Sequence, residues 1–286
     1  MTNKKHYINT SLKEGVLTLI LNDPQTKNAM CAEMANQLIN ILSDFSKDSQ
    51  SKVILITGDN DSFCSGADVR MMKANADVSS NKSKLDPDPW AELEKSIKSN
   101  LTEPTSDEIE IVRNITKHIY NLRKPSIAAV NGPAIGFGMG LALSCDIRLA
   151  SINAIFREAF VNVGLIPADG SSWYLPRMIG LSNTLMYQYT GEVINASEAY
   201  RLGLVSKVTE PDKLMEEASN LCSKLAQGPA YSMAIIKRLT QLSSDINFEE
   251  SMDISGIAQG IAKKTNDHKE GVSAFLQKRK PSFNGD

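Results

Sequence analysis

The chain has 286 residues, 42% hydrophobic and 22% charged, enough to bury one sizeable core with an appended part, which excludes disordered and fibrous classes. A formal net charge of −2 offers no global field for nucleic acid or an anionic membrane, so a polyanionic ligand must be held by local charges. Cys31, Cys64, Cys145 and Cys222 stand far apart without clustered histidines, which argues against a zinc site or a disulfide framework and for reduced, mostly buried thiols.

The first residues carry lysines but no apolar run of signal length and no arginine-rich amphipathic character, so a cytoplasmic location is expected. No stretch reaches the roughly 18 to 20 apolar residues that span a bilayer. Val16 to Asn22 reads as a strand broken by Asp23-Pro24, after which Cys31, Met34, Leu38, Ile41, Leu42 and Phe45 recur at helical spacing. Val53 to Thr57 is a second, buried strand ending at Gly58. Residues 73–108 are rich in Ser, Asn, Asp, Lys and Pro and read as an excursion, either a plain surface loop or a lid over a ligand. Ile111, Ile115, Ile119 and Leu122 mark a helix with His118 at its edge, and Ile127 to Val130 is a third strand ending at Asn131-Gly132-Pro133. From about Pro211 the pattern is continuously helical. These units predict an α/β core over 1–210 and a C-terminal helical subdomain over 211–286.

Two turns carry candidate chemistry. Phe63-Cys64-Ser65-Gly66-Ala67-Asp68 follows the second strand, and Asn131 to Gly140 follows the third. A small-residue turn entering a helix exposes backbone N–H groups that can meet a developing negative charge. Neither turn has the lysine or the spacing of a phosphate-cradling or dinucleotide-binding loop.

Taken with their flanks, Leu21 to Met30, Gly58 to Val69, Lys124 to Gly136, Ala142 to Ser151 and the C-terminal Asn266 to Pro281, the motifs resemble the enoyl-CoA hydratase/isomerase (crotonase) superfamily over nearly the whole chain. The resemblance implies a crotonase-like ββα spiral core and an oxyanion hole made by the backbone N–H groups of Ala67 and Phe137. Acyl-CoA would enter as substrate, with no metal or redox cofactor. It also implies CoA contacts from Lys27, Ala29, Asp68 and Val69, with Phe275 and Lys278 contributing from a neighbouring subunit, and assembly as a homotrimer or a hexamer of paired trimers. Lys27 and Lys278 read equally well as solvated charges, and Asp68 as a helix cap. No nucleic-acid or membrane partner is expected.

The resemblance places Gly140 and Phe160 where family hydratases carry two catalytic glutamates. Two nearby carboxylates can substitute. Asp169 is preferred as the general acid/base, against a reading as the cap of the helix through Trp173. Glu158 is the second candidate, on the argument that an extended 156–160 segment puts it on the face of Phe160, against pairing with Arg157. Ser171 and Ser172 read as first-turn helix residues, and Met71, Met72, Met139 and Trp173 as core or the lining of an acyl tunnel. The expected activity is enoyl-CoA hydration, with a single-carboxylate isomerase, a thioesterase and a non-catalytic acyl-CoA-binding protein as alternatives.

Overall fold

The computed structural model describes residues 5–67, 87–98 and 107–285. Its strands are β1 (Ile8–Lys13), β2 (Val16–Leu21), β3 (Val53–Gly58), β4 (Ser126–Val130), β5 (Pro133–Ile135), β6 (Ile147–Ser151), β7 (Ile155–Arg157), β8 (Val193–Asn195) and β9 (Lys207–Thr209). The helices are α1 (Ala32–Lys47), α2 (Pro89–Lys98), α3 (Asp107–Tyr120), α4 (Phe137–Ser144), α5 (Ser171–Ile179), α6 (Leu181–Thr190), α7 (Ala196–Arg201), α8 (Leu214–Ala226), α9 (Ala230–Leu242), α10 (Phe248–Ala262) and α11 (Asn266–Leu276).

Six strands form a sheet in the order β1-β2-β3-β4-β6-β9, antiparallel at the β1–β2 hairpin and parallel elsewhere. A smaller sheet, β5-β7-β8, stands beside it. This is the spiral of strand, turn and helix units that the sequence implied.

Every residue of β3 is buried, because both faces are covered. Ile54 and Ile56 join one apolar cluster with Met34, Leu38, Leu42 and Phe45 of α1. Val53 and Leu55 join a second cluster with Leu214, Ala218 and Cys222 of α8. Each such Leu, Ile or Phe side chain contributes about 1.5–3 kcal/mol by leaving water. The expected boundary at residue 210 therefore falls before a helix that is part of the core; α9, α10 and α11 follow it. No helix among the described residues is long and apolar enough to cross a membrane. Of the 73–108 excursion, α2 is described, an amphipathic helix with Trp90, Leu93 and Ile97 exposed, together with Asp88 turning into it and the start of α3.

Candidate active site

Both small-residue turns are built by strand pairing. Cys64 pairs with Ala134 in an isolated parallel bridge, and Met30 pairs with Ala67 in another, Met30 N–H donating to Gly66 O over 2.7 Å. The first motif clamps the same turn. Asn28, fully buried, donates to Ser62 O at 2.8 Å and accepts from Asp23 N–H, while Lys27 O accepts from Ser65 N–H. Asn28 takes a positive φ of 59°, a backbone conformation that composition and periodicity do not reveal.

In a parallel bridge the ladder bonds run through the neighbours of one partner, so bonding at Gly66 leaves the Ala67 N–H for another acceptor. Across the gap, α4 begins at Phe137, whose N–H is one of the unpaired donors of a helix start. Neither N–H meets an acceptor among the described residues. The two turns are adjacent: a Cβ built on Gly66 would lie 4.0 Å from Phe137 N. Gly136, at φ 49° and ψ −120°, supplies the reversal that aims the first turn of α4 at this gap, a conformation L side chains rarely adopt.

Two carboxyl groups are buried nearby, one of them against α4. Asp169 and Glu158 are each 1% exposed. Asp169 Oδ1 accepts from the Ser171 N–H at 3.0 Å, and its Oδ2 has no partner. A Cβ on Gly140 would stand 2.1 Å from that Oδ2, so the carboxyl occupies the space a side chain at residue 140 would fill. Gly140 lies three residues after Phe137, on the same face of α4, which puts the Asp169 carboxyl one helical turn from the Phe137 N–H. The N-cap of α5 is Gly170 rather than Asp169, which stands one residue before it and holds the first N–H of the helix through Oδ1.

Glu158 reaches the site by a route the sequence did not give. The strand β7 stops at Arg157, and Phe160–Val163 forms a turn of 3-10 helix, so the extended segment and its shared face do not exist. Nor does Arg157 pair with Glu158; its Nε donates to Gly191 O. Both Glu158 oxygens are buried without a partner among the described residues. Burial, then the nearby Asp169 charge, pushes the Glu158 carboxyl up to about 8. Burial raises Asp169 as well, while Ser171 favours its ionised form. The Ser171 hydroxyl is itself fully buried and makes no hydrogen bond of ordinary geometry. Glu158, Asp169 and Ser171 thus hold four of the five buried side-chain polar atoms without a partner among the described residues. Phe160 points at the Gly136 turn, its ring atoms 3.7–4.0 Å from where a Gly136 Cβ would be.

The other expected residues scatter. Lys27 is exposed and contributes its backbone carbonyl to the first turn, and Ala29 is buried with its N–H on Thr26 Oγ1 at 3.1 Å. Asp68, Val69, Met71 and Met72 lie outside the described residues. Phe275 and Lys278 are exposed at the end of α11, Phe275 lining a groove of about 430 Å³ with Pro229, Lys263 and Phe283. Met139 is core, and Trp173 packs edge-on against Tyr120 and Tyr174. Among the described residues no group of three His, Cys, Asp or Glu is arranged to hold a metal ion.

The enoyl-CoA hydratase/isomerase family model matches residues 11–99 and 91–286. The chain is 33% identical to the 1,2-epoxyphenylacetyl-CoA isomerase of Escherichia coli over 98% of both chains, and 30% identical to a crotonyl-CoA hydratase of Syntrophomonas wolfei over 95% of both. A crystal structure of an enoyl-CoA hydratase from Polaromonas superposes with a TM-score of 0.84 at 28% identity, covering 96% of this chain and 99% of the other. With paired Gly-rich turns, a spiral core and matches across nearly its whole length, the chain belongs to the enoyl-CoA hydratase/isomerase family.

Proposed function

We propose that the protein binds an acyl-CoA thioester, holds its enolate oxygen on the N–H groups of Ala67 and Phe137, and moves protons with Asp169 and Glu158. The observation that carries this reading is the placement of Asp169 Oδ2 against Gly140, one helical turn from the Phe137 N–H. An enolate puts its charge on the thioester oxygen, and losing one preorganised donor there costs about 10²–10³-fold in rate. The charge is met by backbone dipoles, so the proposed chemistry calls on no metal or redox cofactor.

Asp169 is the general base: a backbone N–H stabilises its ionised form, and Glu158 has no such bond. Glu158 keeps the proton and serves as the acid. A specific observation favours double-bond migration over hydration. The Phe160 ring presents hydrocarbon to the Gly136 turn where hydration needs a group that activates water. A non-catalytic binding role is disfavoured, because three buried carboxyl oxygens without a partner among the described residues cost stability and a binding pocket gains nothing from them.

CoA contacts from Lys27, Ala29, Asp68 and Val69, and from Phe275 and Lys278 of a second copy, remain part of the proposal, as do assembly into trimers or hexamers and a cytoplasmic location. Exposed Phe248, Met252, Ile257, Phe275 and Leu276 on α10 and α11 support burial of that end between copies.

The deciding experiment follows the conjugated thioester absorbance of crotonyl-CoA and longer 2-enoyl-CoAs, with 3-enoyl-CoAs alongside. Absorbance gained from 3-enoyl substrates establishes migration. Loss from 2-enoyl substrates establishes hydration, and silence in both despite CoA binding refutes the proposed chemistry.

A further inference from the structure

Glu158 is buried, yet no hydrogen bond among the described residues holds its carboxyl, so the backbone on either side must set its place. In the migration reading above, on which this inference rests, that carboxyl and the Phe137 N–H have to stay in a fixed relation. On the N-terminal side stands Arg157, the last residue of β7. The strand is three residues long, and so short a strand frays at its end unless something beyond the ladder holds it.

Arg157 is held from both sides. Its carbonyl accepts from the N–H of Gly136 at 2.8 Å, and Gly136 is the residue immediately before Phe137. Its half-buried side chain reaches the opposite way, where Nε donates to Gly191 O at 2.6 Å. The β7–β8 ladder ends at the Arg157–Val193 pair, so this bond carries the pairing past the last rung.

The same bond closes a ring of contacts. Gly191 is the left-handed cap of α6, at φ 61°. A Cβ on it would stand 2.0 Å from Asn162 Oδ1 and 3.3 Å from Val161 Cγ1, so its turn is packed against the 3-10 turn Phe160–Val163. That turn carries Phe160, whose ring lies against Gly136, and Gly136 leads back to the Arg157 carbonyl. Glu158 belongs to this circuit, one residue after the tied arginine and two before Phe160. A guanidinium suits the task, because its planar fork fixes the direction of the bond where an ammonium donates as a point.

We propose that Arg157 is a positioning residue, which by tying the Gly191 carbonyl to the end of β7 holds the Phe137 N–H and the Glu158 carboxyl in one fixed relation. Arg157 touches no reacting atom in this role. Its loss acts on the transition state, since misplacing a reacting group by about 1 Å can cost about 10²-fold in rate, while binding of the thioester is little changed.

The test is steady-state kinetics on 3-hexenoyl-CoA with wild type, Arg157→Met, which keeps the stem and loses the donors, and Arg157→Lys, which keeps a donor. Rates are taken per folded site, the folded fraction being read by circular dichroism. The methionine variant is expected to lose roughly 10-fold or more in kcat with KM little changed, and the lysine variant to recover part of the loss. A wild-type kcat per folded site in Arg157→Met overturns the proposal, and so does a rise in KM with kcat unchanged. Should the methionine variant fold poorly, Arg157→Gln is read by the same outcomes. Gly191→Ala, which drives a methyl at Asn162, is expected to give the same signature, and the double variant to fall no further in kcat than the worse single one. Two losses that multiply show that Arg157 does not act through Gly191, which also overturns it. A wild-type protein that moves no double bond in this thioester sinks the migration reading and the positioning role together; a wild-type isomerase with an unimpaired Arg157→Met sinks the positioning role alone.

Discussion

Asp169 Oδ2 lies 2.1 Å from the point where a Cβ on Gly140 would be, so the two positions compete for one volume and the glycine is what admits the carboxyl. Even Gly140→Ala must displace it. Because Asp169 is tied at Oδ1 and buried, the displacement is expected to cost about 1–3 kcal/mol of stability by overpacking and about 10²-fold or more in kcat. Thermal denaturation and turnover on a 3-enoyl-CoA check both; a variant with wild-type turnover excludes Asp169 as the base at this position.

Asp169→Asn keeps an oxygen to accept the Ser171 N–H, so the fold is expected to persist while turnover falls about 10²–10⁴-fold. Removing the like charge also lets the Glu158 carboxyl fall from about 8 toward its ordinary range. Full turnover in a folded, CoA-binding Asp169→Asn protein would rule out its catalytic role.

Glu158 gives a pH signature of definite sign. Its folded value, about 8, lies above the ordinary 4.5, so between these values the folded protein binds more protons than the unfolded chain. Stability from this group is present below about 4.5 and is lost as pH rises through about 8, on the order of 5 kcal/mol in all. Melting temperatures of wild type should therefore fall across that window relative to Glu158→Gln. Turnover should fall above about 8 as the acid ionises; parallel melting curves for the two proteins would contradict the burial argument.

Phe160 covers the Gly136 turn with hydrocarbon. Phe160→Ala opens that face to water and is expected to raise the ratio of hydration to migration by roughly 10-fold or more, at a stability cost of about 3 kcal/mol or less for a half-buried ring. Product analysis by chromatography of the CoA esters reads the ratio, and an unchanged ratio removes Phe160 from control of the reaction.

Arg148 sits at the C-terminal end of α4. It is 6% exposed, and its guanidinium donates to Cys145 O at 2.6 Å, Leu143 O at 3.4 Å and Ala142 O at 3.5 Å, while Nε reaches Leu204 O at 2.7 Å. Arg148→Met strands these carbonyls of the α4 C-terminus, with an expected loss of about 3 kcal/mol or more and a melting temperature lower by several degrees. A calorimetric scan with no shift would show the carbonyls satisfied otherwise.

How much of this was legible in the sequence depended on whether the signal was local. The strand at Val53–Gly58, the helix with Met34, Leu38, Leu42 and Phe45 inward, and the two small-residue turns follow from apolar periodicity and from glycines that only turns and close approaches require. The order of four motifs was enough to indicate the family. The membership of α8 in the core was not legible, because an amphipathic helix does not reveal which sheet its stripe will cover.

The sequence named both carboxyls as candidates, and the tertiary structure alone decided that they are buried together. Glu158 and Asp169 are eleven positions apart on irregular backbone, where no period relates one side chain to another, and the extended-segment argument for Glu158 failed at the 3-10 turn after β7. Their association with Gly140 and Ser171 comes from α4 packing beside α5, a contact set by side-chain volumes across the interface. The sequence determined by itself that glycine at 140 and phenylalanine at 160 remove two expected carboxylates. Only the fold determined that the emptied space at Gly140 is taken by Asp169, because a missing Cβ leaves a volume but does not name its occupant.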